Sequence, residues 1–378
     1  MPSLDVAMPI ALFAVILVAM VLNKRVSAKL QSTIEEKELK TRDVVLLVIF
    51  MAIIISAISV TAYYRPGAVF ENILLVFFLS AYTMLLFTVS YVYSNVPKIR
   101  AALLSVGFGV ASIAAGVVCL LAPFHDSFTI LRVAAFFGLA VFCFVSSAYS
   151  AKTTSFRERW YVAVQPAAVF VMLFIFFNFL SNKGTAAVWA PYLMDVFGLT
   201  FAILIILYLS SLFTWATVGL FAVLLTAMDV ILVIGTPAMV TAAGSFTSLG
   251  LPVLVWLPNV PFIMQGAAFL LRGLGLGDFF FAGILTVQTR NKFGTKTALI
   301  AAIAIAVAFG IWEAFLQDII NDLVPILHRN IGGFPATVCI LTGWAPVIAV
   351  KLLINRRQKI TPVNLQPPAP SESSLPKQ

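Results

Sequence analysis

The stretch Leu274-Gly275-Leu276-Gly277-Asp278 sets a carboxylate inside a run of almost unbroken apolar residues. A lone ionised acid in hydrocarbon costs several kcal/mol, so an acid at that depth marks a functional site. A second acid, Asp229 in Thr226-Ala227-Met228-Asp229-Val230, stands near the end of the preceding apolar run. Composition decides whether such runs cross a membrane. The 378 residues are 61% hydrophobic and 10% charged, against about 25% charged in a soluble domain. The chain is therefore predicted to be an all-α polytopic membrane protein, with the lipid bilayer as its first partner.

A helix needs roughly 20 apolar residues to cross a bilayer. Eleven candidate spans follow, at 5–22, 44–64, 71–93, 101–123, 129–148, 161–181, 190–210, 213–234, 267–288, 297–317 and 333–352. The boundary between two of them near Ser211 is one of several cuts that the apolar run 190–234 admits. The net charge of +9 does not point to nucleic acid, because the basic residues fall in short blocks between spans. With the N-terminus outside, every Lys and Arg except Arg65, Arg132, Lys183, Arg272 and Arg329 falls on the inner side. The positive-inside rule then predicts a cell-membrane protein with an outer N-terminus and a cytoplasmic C-terminus. Cys119, Cys143 and Cys339 lie inside apolar runs, so no disulfide framework is implied. Asp5 precedes the first run without any Lys or Arg, and no cleavable signal peptide is expected.

Three segments differ from the spans. Residues 23–43 mix Lys and Glu at helical spacing and read as a short solvated helix. From Thr361 onward, prolines interrupt a polar tail, and 361–378 is expected to be disordered. Residues 235–266 carry no charge yet hold Gly235, Pro237, Gly244, Gly250, Pro252, Pro258, Pro261 and Gly266, too broken for a spanning helix. Within them Val253-Leu254-Val255-Trp256 reads as a short strand. Leu254 and Val255 could then offer an unpaired edge to an unwound peptide by strand addition. A re-entrant structural loop fits the segment equally well.

The acids carry the chemistry. Consecutive helices usually pack as antiparallel neighbours, so Asp229 and Asp278 are expected to meet across one interface. Gly275 precedes Asp278 by three residues and would share its helical face, and Gly277 adds local freedom to bend the helix and admit water. Two carboxylates a few ångströms apart share one proton. One then acts as general base on water while the other protonates a scissile carbonyl, with no metal and no cofactor. Ion-coupled transporters also place acids in membrane helices and remain the alternative, although the broken segment 235–266 has no counterpart in the first half. A non-catalytic scaffold would leave both buried acids unexplained. Asp195 and Glu313 sit near span ends and read as interfacial, Gln165 and Asn178 as hydrogen bonders between helices. His125 and His328 form no metal pattern.

These residues resemble the intramembrane aspartyl proteases of the presenilin and signal peptide peptidase superfamily. Gly275-Leu276-Gly277-Asp278 resembles that family's Gly-x-Gly-Asp helix. Met228-Asp229-Val230, followed by Gly235-Thr236-Pro237, is similar to the helix of the other acid, with Met228 where the family has Tyr or Phe. Phe334-Pro335-Ala336-Thr337 is similar to the Pro-Ala-Leu element that opens the last helix, with Thr337 in place of Leu. Prepilin peptidases share Gly-x-Gly-Asp but place a basic residue soon after it, whereas Phe279-Phe280-Phe281 follows here.

The resemblance implies a nine-helix protease core over 71–352, an extra N-terminal hairpin over 1–64, and Asp229 and Asp278 as the catalytic pair. Pro335 and Ala336 would help hold an extended substrate, although Pro335 also fits an ordinary helix start. The orientation matches signal peptide peptidase rather than presenilin. It implies transmembrane-helix substrates whose N-terminus faces the cytoplasm, such as leftover signal peptides.

Overall fold

The computed structural model describes residues 5–33, 39–64, 68–93, 98–121, 129–152, 160–179, 189–236, 249–262, 264–265, 268–327 and 333–360. The expectations for His125, His328, Pro237, Gly244, Gly266 and the 361–378 tail lie outside them. The described residues hold eleven α-helices: α1 (Ala7–Thr33), α2 (Thr41–Tyr64), α3 (Ala68–Tyr93), α4 (Lys98–Leu121), α5 (Thr129–Lys152), α6 (Trp160–Phe179), α7 (Met194–Leu212), α8 (Trp215–Val230), α9 (Leu276–Phe293), α10 (Thr295–Leu327) and α11 (Ala336–Ile360). Nine of them are long and apolar enough to cross a membrane, and the protein is an all-α polytopic membrane protein.

The two exceptions have physical reasons. The apolar part of α1 is short, Ala7–Asn23. Helix α9 carries Asp278, Arg290 and Lys292, yet it is the centre of the bundle, packed by α1, α7, α8, α10 and α11. Every residue from Phe279 to Thr289 is buried. At Gly283 a Cβ would fall 2.3 Å from the Ile206 side chain, so α7 approaches α9 where only glycine fits.

The cut near Ser211 falls at Phe213, and Thr214 opens α8 with a reciprocal capping box to Thr217. The side-chain amide of Gln288 on α9 closes the end of α7 by donating to the carbonyls of Ser210 (2.8 Å) and Phe213 (2.7 Å). Residues 23–33 continue α1 rather than forming a helix of their own.

Helices α1 and α2 cover the expected N-terminal hairpin over 1–64. Helix α1 packs on α7, α9 and α10, and α2 packs on α8, so both touch elements that carry or flank the two acids. The peripheral pair is α4–α5, whose main contacts are with each other and with α6. Gln165 joins α6 to α4 through Ser105 (3.0 Å), the interhelical role expected of it. Asn178 instead donates to Phe174 within its own helix.

The main departure from the expected spans is at 267–288. Its first part is strand: β1 (Leu254–Pro258) is followed by two short strands, β2 (Met264–Gln265) and β3 (Ala268–Phe269), and then by β4 (Leu271–Gly275). Strands β1 and β4 pair antiparallel, with Leu254 opposite Gly275 and Trp256 opposite Gly273. The strand read at 253–256 is therefore present but already paired. The Trp256 ring lies across Gly273, where a Cβ would come within 2.9 Å of it. Gly273→Val is expected to destabilise the hairpin by about 1–3 kcal/mol through overpacking. Faster amide hydrogen exchange at Val255 and Leu257 would report it; unchanged exchange would contradict it.

Backbone outside a helix at membrane depth must find its hydrogen bonds in protein or water. Here buried side chains from several elements supply them. Asp195 on α7 accepts from the Trp256 N–H at 2.6 Å. Asp5 accepts from the Val260 N–H at 2.9 Å, and the Val6 N–H donates to the Val260 carbonyl at 3.0 Å. Tyr82 on α3 donates to the Pro252 carbonyl (3.2 Å) and Trp189 to that of Gly250 (2.8 Å). Arg272 on β4 pairs with Glu313 on α10 at 3.2 Å. Asp195 and Glu313 are thus anchors of the hairpin rather than interfacial charges.

Candidate active site

Strand β4 runs straight into α9. Gly275 is the N-cap in an extended conformation (φ −66°, ψ 143°), and Asp278 is the third residue of the helix. Gly275 therefore does not share a helical face with Asp278 as its spacing implied; it lies at the end of the strand beside the acid. A Cβ there would sit 3.2 Å from Asp278 Oδ2, and the Gly275 N–H faces the same carboxylate. Gly277 is exposed and meets no side chain closer than 4.0 Å, which leaves open space at the lip of the site.

Asp229 approaches from α8, which widens into a π turn (Ile231–Gly235) two residues later. π turns are frequent at functional sites. Helix α8 packs on α9, so Asp229 and Asp278 lie on neighbouring helices, within electrostatic reach of one another. Asp229 is buried while Asp278 is half-buried, which makes Asp278 the more accessible of the pair.

A third element closes the site. Pro335 and Ala336 stand at the start of α11, with Pro335 buried and its carbonyl accepting from the Val338 N–H at 3.1 Å. Neither has a side chain that hydrogen-bonds an acid. The residue that does is Thr337: its hydroxyl donates to Asp229 Oδ2 at 2.6 Å and its N–H to the same oxygen at 3.4 Å. Asp229 thus acts as a cap supplied by another helix, satisfying an orphan N–H in the first turn of α11. Asp278 lies in the first turn of α9, so two positive helix ends converge on the acid pair. A cleft of about 560 Å³ runs between α8 and α11, lined by Thr226, Val338, Leu341 and Thr342, within one turn of Asp229.

The expected edge strand needs correcting. The Asn259 N–H donates to the Leu270 carbonyl and the Leu276 N–H to that of Val253, both at 2.9 Å. Antiparallel alternation then turns the backbone groups of Leu254, Trp256 and Pro258 away from β4, and those of Leu271, Gly273 and Gly275 away from β1. The outer side of β1 is closed by α7: Asp195 takes the Trp256 N–H, and Gly198 lies against Val255 and the Leu254 carbonyl. Val255 is fully buried. Val255 thus packs into the protein, while Leu254 is half-buried. The outer side of β4 has no third strand among the described residues, and Leu271 and Gly273 are exposed.

No protein-family model matches the chain, and no curated protein matches it.

Proposed function

We propose that the protein is an intramembrane aspartyl protease that hydrolyses peptide bonds in or near transmembrane helices, with Asp229 and Asp278 acting on water. One observation carries the reading: an open strand edge leads, without a break, into the turn that holds one of two adjoining carboxylates. An unwound substrate segment adds to Leu271 and Gly273, which delivers its next peptide bond to Asp278. Water between the acids loses a proton to Asp229 as its oxygen bonds to the scissile carbon. The carbonyl oxygen takes the proton held by Asp278. On collapse the C–N bond breaks, the leaving nitrogen receives the proton from Asp229, and one hydroxyl of the diol returns its proton to Asp278.

Membership in the presenilin and signal peptide peptidase superfamily belongs to this reading and rests on the three motifs around Asp229, Asp278 and Pro335. The outer N-terminus, argued from the distribution of Lys and Arg, and the preference for substrates entering with a cytoplasmic N-terminus, such as leftover signal peptides, belong to it too.

The strand-addition step has its own test in a helical substrate with single amide-to-ester replacements. An ester removes one N–H donor. Replacements N- or C-terminal to the cleavage site are expected to lower kcat/KM at every second position by about 5- to 10-fold, the worth of one hydrogen bond. A loss without period two would refute pairing with β4.

A further inference from the structure

The two acids are held by different means. Asp278 faces the backbone N–H of Gly275 in its own turn, whereas Asp229 is gripped across an interface by the hydroxyl and N–H of one residue on α11. Building on the protease reading above, we infer that Thr337 is a positioning residue: it pins Asp229 Oδ2 to the first turn of α11 and so turns Oδ1 to Asp278 and the reacting water.

The contact geometry supports this role. At 2.6 Å the hydroxyl contact is at the short end for O–H···O bonds, the range of bonds to carboxylates. Thr337 is 3% exposed and Asp229 6%, so bulk water does not compete for either partner. The N–H contact comes with the helix whatever the side chain, because Thr337 lies in the first turn, where N–H groups lack partners inside the helix. The hydroxyl is what this residue type adds. A carboxylate with one oxygen held at two points cannot spin about its Cβ–Cγ bond, and only its other oxygen is left for water. The Leu of the resembled motif has no such donor, so this grip belongs to the present chain.

Thr337→Val removes the hydroxyl with little change of shape, and Thr337→Ser keeps it. Loss of one hydrogen bond to a charged group is expected to lower kcat about 10- to 100-fold in Thr337→Val with KM within about twofold, while Thr337→Ser stays within about threefold of the unaltered protein. Equal impairment in both variants, or a change in KM alone, would overturn the role. Infrared spectroscopy adds a readout that needs no turnover. The Asp229 carboxyl bands, assigned by their disappearance in Asp229→Asn, are expected to shift in Thr337→Val and to stay in place in Thr337→Ser. Bands unmoved in Thr337→Val would overturn the inference even if cleavage is seen. Shifted bands in a protein that cleaves nothing would uphold the contact while removing the protease reading.

Discussion

Asp229→Asn and Asp278→Asn are each expected to reduce cleavage of a transmembrane-helix substrate by about 10³- to 10⁴-fold, the scale of general acid–base catalysis. Each amide keeps the shape of the acid and removes its ability to trade a proton. With both acids acting on one water and one carbonyl, as proposed, the double variant is expected to be no slower than either single one, as for groups that act as a unit. Insertion and unfolding midpoint should change little, since the amide that replaces the Asp229 carboxylate can still accept from Thr337 through its carbonyl oxygen. The check is initial rate in detergent against the amount of folded protein. Residual activity above about a tenth in either single variant would remove that acid from the chemistry, since a catalytic acid or base contributes at least 10²-fold.

The second large effect concerns stability. Glu313 is 9% exposed at its side chain and Arg272 22%, and the guanidinium also donates to the Glu313 backbone carbonyl at 3.4 Å. Removing one member of a mostly buried pair strands the other charge. Arg272→Ala is expected to cost about 3 kcal/mol, at the lower end for such breaks because Arg272 keeps some exposure. Arg272→Met with Glu313→Leu, which replaces the pair by apolar groups, is expected to recover most of that loss. Denaturant unfolding in detergent of the two single variants and the double one reads the difference. If the double variant were as unstable as the sum of its parts, the pair would not be what anchors β4. The single variant should also lose cleavage, because β4 positions Asp278 directly.

Much of the fold was legible because it follows from hydropathy. The helix count, the break near Phe213 and the packing of α8 on α9 needed only run lengths and antiparallel neighbours. Strand β4 was not legible as a strand. Leu271-Arg272-Gly273-Leu274-Gly275 has no β-branched residue and two glycines, a poor strand by propensity, and its pairing with β1 is a tertiary choice. The signal that was present is the alternation of Gly273 and Gly275, one admitting the Trp256 ring and the other the Asp278 carboxylate. The anchoring roles of Asp5, Asp195 and Glu313 were hidden for the same reason: their partners lie 255, 61 and 41 residues away. Thr337 departs from the resembled motif by standing in place of an apolar residue. Its position opposite Asp229, across 108 residues, is what gives it meaning.

Acids inside a membrane protein serve proton-coupled transport as well as hydrolysis, and the proposal of hydrolysis rests on the strand edge beside Asp278. The most direct measurement reconstitutes the purified protein in lipid vesicles with a single-span substrate and maps the products by mass spectrometry. The account predicts new termini inside or at the edge of the substrate's apolar segment, absent with Asp229→Asn or Asp278→Asn. An intact substrate at every pH, together with acid-dependent solute uptake by the same vesicles, would contradict it.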